Sequence, residues 1–132
     1  MEKLILLIDD DKEEYQILSS VLEIMDKAYK CTWANDAEQA FAFLEQSLPH
    51  YIFVDLNMPK TDGLTCIKAI RAIKKLQEVP VILYSNSIDE QVRTEALQLG
   101  TNYILRKNGS LAELLQRLEA LFAANDVMSL RS

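Results

Sequence analysis

The sequence predicts an α/β protein: a doubly wound sheet of five parallel strands with helices on both faces. Three observations carry that prediction. Short apolar runs alternate with segments of about a dozen residues whose apolar positions recur at helical spacing, the pattern of βαβ units. Four of those runs end in polar groups: 4–8 enters Asp9-Asp10-Asp11, 51–54 enters Asp55, 81–84 ends at Ser85, and 103–105 is followed by Arg106-Lys107. Right-handed crossovers bring such ends together at the carboxyl edge of a parallel sheet, where open α/β sheets bind ligands.

The first strand is read over 3–8 and the first helix over 12–27. Ile17, Leu18, Val21, Leu22 and Met25 make its apolar stripe, with Asp10 or Asp11 as its cap. A second strand over 30–34 mixes polar and apolar residues, which suits an edge. Asp36 opens a helix bearing Ala37, Ala40, Phe41 and Leu44 that ends before Pro49. The third strand, 50–54, is continuously apolar after His50, as expected of a strand buried on both faces. A loop over 57–63 carries Pro59 and Gly63 and leads into a helix over 65–76, with Ile67, Ile70 and Ile73 three apart. Pro80 precedes a fourth strand over 81–84. Asp89 begins a helix that stops at Gly100, a residue suited to the position just past a helix end. The last strand is 103–105, and Ser110 caps a final helix with Leu111, Leu114, Leu115, Leu118, Leu121 and Phe122 along one stripe. Residues 1–124 read as one domain and 125–132 as a short polar tail, with no output domain following.

The 132 residues suffice for one sizeable core. Twenty acids against fourteen bases give a net charge of −6, which argues against nucleic acid as the main partner. No apolar stretch approaches the roughly 20 residues needed to span a bilayer. The first residues lack the form of a signal peptide, and no polybasic patch suits a membrane surface. Cys31 and Cys66 have no metal-ligand spacing and read as reduced thiols in a cytoplasmic protein.

A cluster of carboxylates, one hydroxyl and one ammonium suits a divalent cation and a phosphoryl group. Asp9 and Asp10 beside Asp55 crowd like charges, which is unfavourable unless a cation sits among them. A carboxylate can carry an aspartyl phosphate, and a compact ammonium at Lys107 suits either partner. Strand alternation points Arg106 elsewhere. Asp11 reads as a solvated residue at a helix start, favoured by the helix dipole. His50, the only histidine, lies before the third strand, at the opposite end from Asp55, and Trp33 reads as packing.

Asp9-Asp10, the stretch Val54-Asp55-Leu56-Asn57-Met58-Pro59 with Asp62-Gly63 behind it, Ser85 and Lys107 resemble the receiver domain of bacterial two-component response regulators. Ser85 lies 30 residues past Asp55, and Lys107 lies 22 past Ser85. The resemblance covers nearly the whole chain and implies a flavodoxin-like strand order 2-1-3-4-5. It implies Asp55 as phosphoacceptor, Ser85 as a hydroxyl that meets the phosphoryl group, and Lys107 as its cation, paired with Asp55 at rest. It further implies Mg²⁺ held by Asp10, Asp55 and the carbonyl of Asn57, with Asp9 acting through water.

The implied partners are a histidine kinase or histidine phosphotransfer protein and a downstream protein effector. The switch would run through the fourth helix, fifth strand and fifth helix, in a monomer or weak homodimer. Such a chain is a signalling module rather than an enzyme, catalysing only its own phosphorylation and dephosphorylation. The alternative is a receiver-like adaptor that binds partners without phosphorylation. A phosphatase with Asp55 as nucleophile would commonly carry a second acid two residues on, where Asn57 stands. Two positions depart from the family: Asn108 follows Lys107 in place of the usual proline, and Ile104 occupies a place often aromatic, with Tyr103 one residue earlier.

Overall fold

The structure, a computed structural model, describes residues 2–131 apart from 108, and only the backbone of 126–131. Strands β1 Lys3–Ile8, β2 Tyr29–Ala34, β3 Tyr51–Val54, β4 Val81–Ser85 and β5 Tyr103–Arg106 alternate with helices α1 Lys12–Met25, α2 Ala37–Gln46, α3 Gly63–Arg71, α4 Glu90–Gln98 and α5 Leu111–Arg131. The strands form one sheet in the order β2-β1-β3-β4-β5, every pair parallel. This is the strand order that the resemblance implies.

Period-2 alternation divides the core into two layers. Leu6, Ile8, Ile52, Val54, Val81 and Leu83 face one way and are covered by α2, α3 and α4 through Ala40, Leu44, Ile67, Ile70 and Ala96. Ile5, Leu7, Phe53, Ile82 and Tyr84 face the other way under α1 and α5, against Leu18, Leu22, Leu114 and Leu118. The central strands β3 and β4 are buried along their whole length, whereas β2, at the edge, is mostly half-buried with Lys30 exposed.

Four helices start on an aspartate. Asp11, Asp36, Asp62 and Asp89 each accept a backbone N–H of the first turn, each cap being worth about 1 kcal/mol. α5 starts on a reciprocal pair: Ser110 Oγ accepts the Glu113 N–H at 3.2 Å, and Glu113 Oε1 accepts the Ser110 N–H at 3.3 Å.

Two elements differ from expectation. The helix read over 65–76 breaks after Arg71 and resumes as a 3-10 turn at Lys74–Leu76, because Ile73 is extended. Arg71 accounts for the break. Its guanidinium donates to the carbonyls of Gly100, Leu76 and Val79 and to Asn102 Oδ1 at 2.7–2.9 Å, so it closes the loop that the helix would otherwise cross. The polar tail read over 125–132 is instead helical to Arg131. No glycine or proline follows Ser110 to stop α5, and Asn125 Nδ2 donates to the Tyr51 hydroxyl at 3.1 Å.

Gly63 sits where the start of α3 crosses behind β3. A Cβ there would lie 2.3 Å from the carbonyl oxygen of Asp55 and 2.8 Å from Leu56 Cα, so only glycine fits. Its N–H donates to the Leu56 carbonyl at 2.7 Å. Gly100, with φ +101°, ends α4 in the left-handed region as expected.

Candidate functional site

The register places the polar strand ends together. Ile8 pairs with Val54, and Asp55 N–H donates to the Ile8 carbonyl at 2.9 Å, so Asp9 and Asp55 emerge side by side. Ser85 pairs with Arg106, and Lys107 N–H donates to the Ser85 carbonyl at 3.2 Å. A cavity of about 470 Å³ at this edge is lined by Asp9, Asp10, Asp55, Asn57, Ser85 and Lys107 among others. All the predicted site residues are therefore neighbours.

Asp9 is fully buried and Asp55 nearly so. Lys107 Nζ lies 2.6 Å from Asp9 Oδ2 and 3.3 Å from Asp55 Oδ1. The expected resting partner of the lysine was Asp55; the tighter pair is with Asp9. Burial explains the order, since the more deeply enclosed carboxylate has most to gain from a counter-charge. The ammonium also sits 5.3 Å from the centre of the Tyr84 ring. Asp9 is further held from both sides: its Oδ1 accepts the Asp11 N–H at 3.0 Å, and its carbonyl accepts the Trp33 indole N–H at 2.7 Å. Trp33 stacks on Tyr15 at 5.6 Å between ring centres, so the residue expected merely to pack also steadies the acid pair.

The charges are unevenly satisfied. Burial and the neighbouring Asp9 charge push the Asp55 carboxyl up to about 6, against the pull of Lys107. Burial likewise raises Asp9, only partly offset by its bond to Lys107. For Lys107 burial alone would lower the ammonium, but the hydrogen bond and charge of Asp9, with Asp55 behind it, hold it above its ordinary value.

Ser85 is buried at the end of β4, and its Oγ accepts the Ser87 N–H at 3.4 Å. Arg106 turns away from the site, as alternation predicts, and donates to the Ile88 carbonyl at 2.7 Å. Asp11 is exposed and caps α1 through the Glu13 N–H at 2.9 Å. Glu14 was not anticipated. It lies on the first turn of α1, half-buried at the rim of the cavity, and burial raises its carboxyl. Only the helical repeat counted from Asp11 could have marked it. His50 is exposed at the far end of the sheet, where its Nδ1 accepts the Leu4 N–H.

The family model described as the response regulator receiver domain matches residues 5–119. The chain belongs to that family. Over 93% of its length it is 29% identical to a probable chemotaxis protein CheY of Rhizobium etli, covering 95% of that protein. Among solved structures it resembles the phosphorylated cyanobacterial phytochrome response regulator RcpA, with 27% identity and a TM-score of 0.82 over 92% of this chain and 91% of that one. It also resembles the Mn²⁺-bound form of response regulator Rcp1, with 28% identity and a TM-score of 0.78 over 90% of this chain and 91% of the other.

Receiver domains bind Mg²⁺, and the donor set here fits such an ion. Asp9, Asp10 and Asp55 can each offer one oxygen, and these three oxygens lie within 4.8 Å of one another. Oxygens in an octahedron at about 2.1 Å from Mg²⁺ stand about 3–4 Å apart, and carboxylates are the hard ligands it prefers. In this receiver Tyr103 packs on the α1/α5 side of the sheet and Ile104 on the α2/α3/α4 side, so the one-residue shift of the aromatic reverses its face. Asn108 lies outside the described residues; among those described, no peptide bond is cis. Also among the described residues, no helix is long and apolar enough to cross a membrane.

Proposed function

We propose that this chain is a phosphoacceptor of a two-component phosphorelay, with Asp55 receiving the phosphoryl group from a histidine kinase or a histidine phosphotransfer protein. The observation that carries this reading is the convergence of Asp9, Asp10, Asp55, Ser85 and Lys107 on one cavity at the carboxyl edge of the sheet. An oxygen of the ionised Asp55 attacks phosphorus, the phosphorus–nitrogen bond of phosphohistidine breaks, and the donor imidazole leaves with the electron pair and takes up a proton. Bound at Asp10, Asp55 and the Asn57 carbonyl, with Asp9 acting through water, Mg²⁺ would neutralise charge on the transferred oxygens. Lys107 offers the second cation, and the Ser85 hydroxyl supplies a donor to a phosphoryl oxygen once Asp55 is modified. Transfer of this kind needs mainly positioning and charge neutralisation, and these groups provide both. The output surface in this reading is the α4-β5-α5 face, in a cytoplasmic monomer or weak homodimer acting on a protein effector.

The test is intact mass after incubation with acetyl phosphate, with and without Mg²⁺, on wild type and Asp55→Asn. One phosphoryl adduct that needs both Mg²⁺ and Asp55 is the expected result. A folded protein that takes no adduct while a control receiver labels would overturn it and favour a phosphorylation-independent adaptor.

A further inference from the structure

Strand alternation puts Tyr84, Leu105 and Lys107 on one side of the sheet. Tyr84 pairs with Leu105 across β4 and β5, and the Lys107 N–H extends that ladder by donating to the Ser85 carbonyl. The Lys107 side chain therefore leaves its strand beside the Tyr84 ring. Its ammonium stands 5.3 Å from the ring centre, inside the roughly 6 Å over which an aromatic face attracts a cation. The ring is fixed in place: Tyr84 is 1% exposed, and Phe53 meets it edge to face, 5.8 Å between centres at 90°. Burial, with the charges of Glu14 and Asp9 nearby, pushes its phenol well above the ordinary value, so the ring stays neutral.

The ammonium has a competing destination. Glu14, on the first turn of α1, lines the rim of the same cavity, and its charge acts on Lys107. A lysine carries its charge on a flexible four-carbon stem and can follow any open carboxylate. Yet the Lys107 side chain is only 7% exposed, and its ion pairs, at 2.6 and 3.3 Å, are with Asp9 and Asp55. A ring face beneath the ammonium also suits the motion that transfer requires. Attraction to it is not tied to one donor–acceptor direction, so the charge can slide from a carboxylate to phosphoryl oxygens while keeping its support.

We propose that Tyr84 is a positioning residue for phosphoryl transfer: its ring holds the Lys107 ammonium between Asp9 and Asp55 and away from Glu14. The inference rests on the phosphoacceptor reading of Asp55, and Tyr84 acts in it through Lys107 alone.

The experiment is the rate of the Asp55 adduct by intact mass, with acetyl phosphate and saturating Mg²⁺, on the full chain. Urea unfolding confirms that each variant is folded. Tyr84→Leu should label about tenfold more slowly, and Tyr84→Phe, which keeps the ring face, should restore the rate to within about twofold. In a Lys107→Ala background Tyr84→Leu should change the rate by less than about twofold, because the partner is gone. An equal loss in both backgrounds marks a merely structural role and overturns the inference. A second readout needs neither catalysis nor a variant. The NMR signals of the Lys107 ε-methylene should lie upfield of those of exposed lysines in the resting wild type, shifted by the ring current of Tyr84. Unshifted signals would overturn the inference whatever the rates. If wild type labels and Tyr84→Leu labels equally fast, the inference fails and the phosphoacceptor reading stands. If folded wild type takes no adduct while a control receiver labels, the reading fails and the inference falls with it.

Discussion

Replacing Asp55 by asparagine should make this protein more stable, and the structure says by roughly how much. In the ionised site two buried carboxylates and the exposed Asp10 share one ammonium, which lies closer to Asp9. The Asp55 carboxyl is raised from 3.8 to about 6. A group whose folded value exceeds its unfolded one contributes stability that is intact below about pH 4 and is lost as pH rises through about 6. Two units at about 1.4 kcal/mol each set an upper figure near 3 kcal/mol. Water at the open mouth of the cavity and the shared Lys107 reduce it, so about 1–3 kcal/mol is expected above pH 7. Asparagine keeps the volume and an oxygen for Lys107 while removing the charge. The assay is urea unfolding of wild type and Asp55→Asn at pH 8 and pH 5, in EDTA and again with Mg²⁺. The variant should be more stable at pH 8, the gap should shrink at pH 5, and Mg²⁺ should narrow it by stabilising the wild type more. Equal stabilities at pH 8, or a less stable variant, would refute the view that the resting site is electrostatically overloaded.

Other substitutions probe the supports. Gly63→Ala forces a Cβ against the Asp55 carbonyl and should cost about 2–4 kcal/mol in urea unfolding. Arg71→Ala strands the carbonyls of Val79 and Gly100 and should cost about 2–4 kcal/mol, with Arg71→Lys recovering only part. Trp33 is the only tryptophan, and its indole donates to the Asp9 carbonyl. Its fluorescence should therefore change on Mg²⁺ titration of the wild type, with the midpoint moved to higher Mg²⁺ by about tenfold in Asp10→Asn.

Much of the fold was legible because it depends on local patterns. The continuous apolar run of β3 announces a strand covered on both faces, and aspartates mark the starts of α1, α2 and α4; the cap of α3 by Asp62 came only with the structure. The site was legible because its residues all stand at strand ends, where a parallel sheet leaves them no choice of neighbourhood. What escaped reading depends on contacts distant in sequence. The break after Arg71 is made by carbonyls up to 29 residues away, and nothing within 65–76 signals it. The course of α5 beyond residue 124 defeats a reading by polarity alone, since Asn125 and Asp126 look like a tail. The preference of Lys107 for Asp9 over Asp55 depends on relative burial, which strand spacing does not reveal.

That preference bears on the rate of the proposed transfer. A nucleophile locked in a tight buried ion pair must first break it, and the lost pairing, worth a few kcal/mol, adds to the barrier. Here the short contact falls on a neighbour that forms no bond to phosphorus. Asp55 keeps only the longer contact, so its electron pairs are largely uncommitted. The lysine can then follow charge onto the phosphoryl oxygens as it develops, without first abandoning the reacting atom.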